Sequence, residues 1–294
     1  MTIKKKSKPL IGFIGQGYIG KNYADDFERR GYKVVRYSLE EPYKHNGYKI
    51  QKCDIVFIAV PTPTTPKGFN DSIVREAINL VGIRKIAVIK STVLPGSTKK
   101  FQKAFPNRFI LHSPEFLAEK TAAYDAAHPN RNIIGIPEKT SAIKNRASIV
   151  LSILPKAPYK LVADSNETEL IKYAGNVFLF FKILYANLFH DLAEKVGVNY
   201  DVIRNAVAAD PRIGSSHLSA VNTSGHNGAI PGRGAGGHCF IKDFVALRNL
   251  YENQVGDTLG IEVFRTIEKK NIALLKESGK DIDLLKGVYG PHIA

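Results

Sequence analysis

Cys239 lies at the end of a glycine-rich loop and at the start of a helical pattern, in the segment GRGAGGHCFIKD of residues 232–243. The positive end of a helix and the nearby Lys242 both favour the thiolate form of a cysteine at that position. The dense glycines indicate close approach of a ligand to the backbone. The segment therefore predicts a nucleophilic cysteine. Cys53 precedes an apolar run and is predicted to pack in the core instead.

Lys172 and Asn176 are four residues apart in a second candidate segment, which has a helical pattern. This spacing places both side chains on one helix face, about one turn from each other. Such a pair can donate hydrogen bonds to an oxyanion, and a partly desolvated lysine can also move protons. The neighbours of the pair are apolar, which argues against a solvent-facing surface. The spacing alone leaves open a solvated lysine beside a surface amide.

A glycine turn follows the first apolar run of the chain. Leu10–Ile14 is that run, Gly15, Gly17 and Gly20 come next, and a helical pattern then continues to Arg30. The first glycine permits a tight turn, the second lets a pyrophosphate approach the backbone, and the third lets the helix pack on the strand. The turn therefore predicts a dinucleotide site.

The choice between NAD and NADP depends on the tip of the second strand, where this sequence has no acidic residue directly in place. Arg36 and Ser38 would tolerate the 2′-phosphate of NADP. Glu40 or Glu41 would instead reach the ribose hydroxyls of NAD. These residues therefore do not decide between NAD and NADP.

Strands and helices must alternate in the first half of the chain to position these residues. The predicted strands are Leu10–Ile14, Lys33–Tyr37, Ile55–Val60, Ile86–Ile89, Phe109–Leu111 and Asn132–Ile136, and the predicted helices after the first are Ser72–Val81, Thr98–Phe105 and Thr140–Leu151. From Glu167 onwards the pattern is helical, with helices at Glu167–Lys195, at Tyr200–Ala209, from about Cys239 and at Thr258–Ser278. The predicted class is α/β, with an N-terminal Rossmann doubly wound parallel sheet over 1–165 and an all-α helical domain over 166–294. Asp164, Ser165 and Asn166 are expected to cap the long helix.

Composition excludes several classes of protein. The chain has 294 residues, 44% of them apolar and 23% charged, which is typical of a soluble globular protein of two domains. It has no apolar stretch of membrane-spanning length and no signal peptide, so a cytoplasmic protein without membrane contact is expected. Two distant cysteines argue against a disulfide framework and a zinc site, and no metal is expected. The net charge of +15 is scattered apart from Lys4–Lys6, which favours small anionic ligands over nucleic acid.

The order of these motifs resembles that of the UDP-glucose/GDP-mannose dehydrogenase family, from Leu10 to about Lys276. The motifs that carry the resemblance are Gly15–Gly20, FIAVPTP at 57–63, STVLPGST at 91–98, SPEFL at 113–117, ELIKYAGN at 169–176, DPRIG at 210–214 and GGHCFIKD at 236–243. The Arg-Ile-Gly element and the Lys242-Asp243 ending favour the UDP-glucose branch, whereas residues 231–239 look more like the UDP-N-acetyl-mannosaminuronic branch.

The resemblance implies an NAD-dependent four-electron oxidation of a nucleotide sugar. An alcohol becomes an aldehyde, Cys239 adds to it, and a thioester is then formed and hydrolysed. The implied catalytic residues are Cys239, Lys172, Asn176, Glu115 as the general acid and base, and Asp243 and Thr92, which position the water. The implied cofactor residues are Gly15, Gly17, Tyr18, Ile19, Gly20, Pro61, Thr62, Thr92, Glu119 and Lys242. The implied substrate residues are Glu115, Phe116, Leu117, Glu119, Lys172, Asn176, Arg212 and Gly236.

Two departures from the family pattern bear on the substrate. Family members continue into a C-terminal domain that binds the nucleotide sugar, whereas this sequence ends at Ala294. The stretch Ser215–Ile230 is longer than expected, and we expect it to supply groups for the substrate. The apolar stripe of Thr258–Ser278 is a candidate homodimer surface, with packing inside one chain as the alternative.

Two rival functions remain open. One is a two-electron β-hydroxyacid dehydrogenase on the same scaffold, which needs the lysine and the asparagine but not Cys239. The other is a nucleotide-binding remnant without turnover, against which the retained catalytic set argues.

Overall fold

The computed structural model describes residues 8–226 and 228–293, so the basic residues Lys4–Lys6 lie outside the described part. The chain folds into two compact units. The N-terminal unit comprises the chain up to Thr62 together with Asn70–Lys172. The C-terminal unit comprises Pro63–Phe69 together with the chain from Tyr173 onwards. The domain limits expected from the sequence remain a proposal.

A seven-stranded sheet forms the centre of the N-terminal unit. Its strands are β1 (Ile11–Ile14), β2 (Val34–Tyr37), β3 (Ile55–Ile58), β4 (Ile86–Ile89), β5 (Phe109–His112), β6 (Arg131–Ile136) and β7 (Tyr159–Asp164). They lie in the order β2-β1-β3-β4-β5-β6-β7. The first five in this order are parallel, with Ile11 opposite Val34 and Ile55, whereas β6 runs antiparallel to β5 and parallel to β7. The predicted α/β Rossmann class is confirmed.

The central strands are buried along their whole length because both faces of the sheet are covered. All four residues of β1, β3 and β4 are buried, which explains why these strands are uniformly apolar. The rings of Phe13 and Phe57 stack at 5.0 Å on one face. Strand β7 was missed because it is an edge strand: Tyr159 and Val162 are 52% and 41% exposed, so it shows no buried apolar run.

Within the described part of this unit, six α-helices lie wholly inside it. They are α1 (Tyr18–Arg29), α2 (Gly47–Ile50), α3 (Ser72–Asn79), α4 (Ser97–Ala104), α5 (Ala122–Ala127) and α6 (Ser141–Ile153). Four of them were predicted, with ends that differ by at most three residues. The short helices α2 and α5 were not, because one or two turns are too few to show a helical period.

Helix α7 (Ser165–Val196) begins in the N-terminal unit and continues into the C-terminal one. Asp164 Oδ1 accepts the N–H of Asn166 at 2.9 Å, and Glu167 Oε2 accepts the N–H of Asp164 at 3.0 Å. This reciprocal cap satisfies backbone donors that the first helical turn leaves unpaired. The expected cap is thus confirmed for Asp164, whereas Asn166 contributes only its backbone N–H and Ser165 Oγ is buried without a hydrogen-bond partner among the described residues.

The C-terminal unit is mainly helical. Besides part of α7 it contains α8 (Tyr200–Ala208), α9 (Gly237–Gln254), α10 (Thr258–Glu277) and α11 (Ile282–Tyr289). It also contains two small antiparallel ladders, which pair Thr64–Thr65 with Gly68–Phe69 and Val221–Asn222 with Gly232–Arg233. Phe180 of α7 stacks on Phe244 of α9 at 4.1 Å. Among the described residues, no helix has both the length and the hydrophobicity that a bilayer crossing requires.

The apolar stripe of α10 packs within the unit. Phe264 and Ile267 lie against the core of Phe180 and Phe244, and Leu275 is fully buried in a second cluster. Of the two expectations for this helix, packing inside one chain is the one that the structure supports.

Candidate active site

The glycine turn at the end of β1 has the geometry that a pyrophosphate requires. A Cβ atom at Gly15, whose φ is +89°, would collide with the carbonyl of Ala59, and one at Gly20 would collide with the carbonyl of Gly15. No atom lies within 4 Å of the Cβ position of Gly17. Helix α1 starts at the next residue, and no side chain caps it. The open space beside Gly17 and the N-terminal end of α1 fit the pyrophosphate of a dinucleotide.

Arg36 at the tip of β2 is held by two carboxylates of α1. Its Nη2 lies 2.6 Å from Asp25 and 2.7 Å from Glu28, and its side chain is 9% exposed. Burial lowers the pKa of this guanidinium, but the hydrogen bonds to Glu28 and Asp25 raise it more. A 2′-phosphate would compete with both carboxylates, so this arrangement disfavours NADP.

A cavity of about 510 Å³ lies beside β2 and is lined by polar side chains of α1 together with the strand and the segment that follows it. None of the predicted catalytic residues lines it.

Two loops at the carboxyl ends of β3 and β4 are tied to each other. Ser91 Oγ donates to the carbonyl of Val60 at 2.7 Å and accepts its N–H at 3.0 Å. Thr62 Oγ1 donates to the carbonyl of Thr92 at 2.8 Å. The predicted cofactor residues Pro61, Thr62 and Thr92 are thereby held at one edge of the sheet, where open α/β sheets bind their ligands.

Glu115 and Lys172 form a buried ion pair in the N-terminal unit. The distance between Glu115 Oε1 and Lys172 Nζ is 2.7 Å, and the side chains are 3% and 6% exposed. Glu115 Oε2 also accepts the N–H of Leu117 at 2.9 Å. The ring of Phe116 lies 5.8 Å from Lys172 Nζ. Four predicted residues from two distant segments are therefore brought together, and the alternative of a solvated Lys172 is wrong.

Lys90 is a second buried lysine of this unit, and it was not predicted as a functional residue. Lys90 Nζ donates to the carbonyl and to Oγ of Ser113 at 3.2 and 3.3 Å, and it lies 4.1 Å from the ring centroid of Tyr23. Burial lowers the pKa of Lys90 to about 8; the charge of Glu115 raises it, and that of Lys172 lowers it. The sequence feature that could have indicated this role is the position of Lys90 directly after the apolar strand Ile86–Ile89.

Glu169, one turn before Lys172, was also missed as a functional position. It accepts the N–H of Gly96 at 2.7 Å, the N–H of Thr98 at 2.8 Å and the hydroxyl of Thr98 at 2.6 Å. Burial raises the pKa of Glu169 to about 7, although these donors lower it. The carboxylate anchors the loop that carries Thr92 to helix α7.

The C-terminal unit contains the other half of the predicted catalytic set. Asn176 Nδ2 donates to Asp243 Oδ2 at 2.7 Å, and Lys242 Nζ lies 2.5 Å from Asp243 Oδ1. Asp243 is 1% exposed. Cys239 is partly exposed in the first turn of α9, which begins at Gly237, two residues before the expected start. The thiol therefore lies near the positive end of an 18-residue helix.

The glycines before Cys239 have a different cause from the one expected. Cβ atoms at Gly232, Gly234 and Gly236 would meet side chains of this same unit, namely Lys280, Asn271 and Asp281. Gly234 also has a φ of +85°. The density of glycines therefore reflects close packing of the loop against its own chain, so the glycines by themselves do not indicate a bound ligand.

Among the predicted residues with charged side chains, Glu119 and Arg212 lie at the surface of the described structure. Glu119 is exposed at the start of the 3-10 turn Glu119–Thr121. The side chain of Arg212 is 87% exposed and pairs with Asp210 at 2.6 Å. Cys53 lies in the core of the N-terminal unit, as expected.

Comparisons with known proteins identify the family. The NAD binding domain model of the UDP-glucose/GDP-mannose dehydrogenase family matches residues 44–152, and its central domain model matches residues 166–272. UDP-glucose 6-dehydrogenase TuaD of Bacillus subtilis is 32% identical, with 96% of this chain and 69% of that protein covered. The chain belongs to the UDP-glucose/GDP-mannose dehydrogenase family.

Other family members extend this result. UDP-glucose 6-dehydrogenase of Rickettsia prowazekii is 33% identical over 89% of this chain, and the match spans 64% of its own length. A UDP-glucose dehydrogenase structure from Pyrobaculum islandicum superposes with a TM-score of 0.76 at 27% identity and covers 94% of this chain and 72% of that one. The chain spans 64% and 69% of the length of these two curated relatives, and 34% to 60% of the length of others that it matches. Its cofactor is NAD, in agreement with the glycine turn and the paired Arg36.

Proposed function

We propose that this protein is an NAD-dependent dehydrogenase that oxidises a nucleotide sugar by four electrons to the sugar acid, with UDP-glucose as the substrate and UDP-glucuronate as the product. The supporting observation is the pairing of Lys172 with Glu115 and of Asn176 with Asp243, on successive turns of one helix. Buried groups arranged in this way are suited to proton transfer and to oxyanion stabilisation.

Bound NAD supplies the hydride acceptor for each of the two oxidations. In the first oxidation the alcohol would lose a proton to a base at the pair of Lys172 and Glu115 and a hydride to NAD, which gives the aldehyde. The Cys239 thiolate then adds to the aldehyde carbon, and Lys172 and Asn176 donate hydrogen bonds to the oxyanion of the thiohemiacetal. The second oxidation leaves a thioester.

Hydrolysis of the thioester completes the reaction. Glu115 takes a proton from a water molecule that Asp243 and Thr92 orient, and this water adds to the thioester carbon. The C–S bond then breaks, and the thiolate of Cys239 leaves as the acid forms. The role of Lys172 as a proton carrier is consistent with its burial and its carboxylate partner.

The substrate class rests on the relatives, which are named UDP-glucose 6-dehydrogenases. Phe116, Leu117 and Glu119 on the loop after β5 are proposed to contact the sugar, and Gly236 to lie beside it. Exposed Arg212 is available to a diphosphate or to a carboxylate. A UDP-N-acetylmannosamine substrate is the runner-up, because the segment at 231–239 resembles that branch.

We also propose a homodimer, formed through α7 instead of α10. Phe178, Tyr185, Leu188, Leu192 and Val196 lie on α7 at heptad-like spacing, and their exposed fractions range from 42% to 61%. Such a row is typical of a helix that packs against a second copy of itself.

Substitution of Cys239 by serine distinguishes the proposed function from its rivals. We expect Cys239→Ser to abolish formation of the sugar acid and to stop the reaction at the aldehyde level. Serine has no sulfur, so the thioester that the second oxidation requires cannot form. A two-electron dehydrogenase would keep near-normal turnover, and a remnant would show none before or after the change. The control is Cys53→Ser, which removes the core thiol, and products are measured by mass spectrometry.

A further inference from the structure

The loop Arg233–Gly237, which leads into Cys239, is held along its backbone by side chains from the end of α10 and the turn after it. The contacts are Ser278 Oγ with the N–H of Arg233 (3.1 Å), Lys280 Nζ with the carbonyl of Gly234 (3.0 Å), Asn271 with the N–H and the carbonyl of Ala235 (2.7 and 3.0 Å) and Asp281 Oδ2 with the N–H of Gly237 (2.7 Å). We call these four side chains the loop clamp.

Asp281 is the anionic member of the clamp. Its side chain is 1% exposed, and it accepts hydrogen bonds from Ser224 Oγ, from His226 Nε2 at 2.8 Å and from the N–H of Gly237. Its φ of 54° is left-handed, a strained conformation for an aspartate that the surrounding contacts maintain. Burial raises the pKa of Asp281, but these donors lower it below its usual range. A carboxylate is thus fixed at the first residue of α9.

We propose that Asp281 is a positioning residue that sets how readily the Cys239 thiol ionises, acting through the N–H of Gly237 and the positive end of α9. This inference rests on the proposed function, because it assumes that Cys239 is the nucleophile. A helix N-terminus stabilises a thiolate in its first turn, whereas a carboxylate bound to the same N–H groups offsets part of that positive charge. The hydroxyl of Ser224 donates a hydrogen bond to the same carboxylate and so reduces the negative charge that acts on the end of α9.

Other titratable groups at this end of α9 contribute to the same field. They are His226 and Lys280 around Asp281, and His238, Lys242 and Asp243 on α9 itself. The ammonium of Lys280 is fully buried and donates to Asn222 Oδ1 at 2.7 Å. Removing the charge of Asp281 leaves all of these groups in place, so its effect can be measured separately.

The test is the pH dependence of alkylation of Cys239 by iodoacetamide, followed peptide by peptide by mass spectrometry. In Asp281→Asn we expect the pH midpoint of alkylation to fall by roughly half a unit relative to the unmodified chain. A purely structural role would change the limiting rate at high pH but not the midpoint. The matched control is Asp257→Asn, because Asp257 is a carboxylate that caps α10 in the same unit.

Ser224→Ala is a second test variant, for which the pH midpoint of alkylation should shift in the opposite direction. It removes one donor to the carboxylate and keeps the charge, so the midpoint should rise, and this variant serves if Asp281→Asn does not fold. Equal midpoints in the unmodified chain and in the folded variants would overturn the proposal. A shift in the expected directions in a protein that oxidises no nucleotide sugar would support this inference while refuting the proposed function.

Discussion

Lys90 illustrates how a single residue can support a site without touching the reacting atoms. Its ammonium is buried, and its hydrogen-bond partners are the neutral oxygens of Ser113, although buried lysines are ordinarily paired with a carboxylate. Ser113 is two residues before Glu115 in the same loop. The lysine therefore fixes the loop and adds positive charge behind the pair of Glu115 and Lys172.

The buried ammonium also makes stability depend on pH. The pKa of Lys90 is lowered to about 8 in the folded chain, whereas the pKa of a lysine in the unfolded chain keeps its ordinary value of 10.5. The unfolded state therefore binds more protons between these values, and the contribution of Lys90 to stability is lost as the pH falls from 10.5 to 8. We expect this contribution to amount to at most about 3 kcal/mol.

Denaturant unfolding between pH 8 and 10.5 measures this dependence. The unfolding free energy of the unmodified chain minus that of Lys90→Met should rise across this window. Lys100→Met removes an exposed lysine of α4 and serves as the control. The unfolding free energy of the unmodified chain minus that of Lys100→Met should not change with pH in this window. Parallel behaviour of both variants would show that Lys90 keeps its ordinary proton affinity.

At the scale of elements, helix α7 contributes side chains to two sets of buried contacts, one in each unit. It contains Glu169, Lys172 and Asn176, which are three and four residues apart and therefore follow one face. Glu169 anchors the loop of Thr92, Lys172 binds Glu115, and Asn176 binds Asp243. One helix thus sets the position of three groups.

Removal of the Glu169 carboxylate should loosen the loop that it holds. Glu169→Gln keeps the shape but replaces one carboxylate oxygen by an amide N–H₂, which then faces either the N–H of Gly96 or the donors of Thr98. We therefore expect a loss of about 2–3 kcal/mol in unfolding free energy. Glu194→Gln on the same helix changes an exposed carboxylate and should cost less than about 0.5 kcal/mol. Chemical denaturation of both variants compares the two, and equal costs would argue against an anchoring role.

Sequence reasoning worked best for elements whose pattern is local. The apolar strands, the glycine turn and the cap at Asp164 follow from short-range rules, and all are present. Strand β7 was missed because it lies at an edge, and Lys90 because its partners are 23 residues away or more distant still. The glycines before Cys239 were misinterpreted because a glycine shows that space is tight but not what fills it.

At the scale of the whole molecule, charge and surface hydrophobicity point to different partners. The net charge of +15 attracts nucleotide anions such as NAD and a nucleotide sugar. The apolar row of α7, in contrast, suits a second copy of the chain. Binding of NAD and of the proposed nucleotide-sugar substrate would therefore depend on a different surface property from the proposed dimer.

The proposed dimer predicts the effect of a charge placed in the α7 row. Leu188→Glu combined with Leu192→Glu should convert a dimer into a monomer in sedimentation velocity, because four carboxylates would be buried at the interface of the pair. Leu259→Glu is the control, since Leu259 is 73% exposed on α10 and lies outside the row. A monomeric unmodified chain, or a dimer that survives the double substitution, would contradict the α7 interface.

The covalent four-electron oxidation is tested most directly by the amount of reduced cofactor formed per molecule of product. The purified chain is incubated with UDP-glucose, UDP-N-acetylmannosamine and GDP-mannose in turn, with NAD in excess, and NADH absorbance is compared with the acid counted by mass spectrometry. Two NADH per acid with one of these sugars is the predicted result. One NADH per oxidised product, with the aldehyde accumulating and no acid formed, would contradict the account.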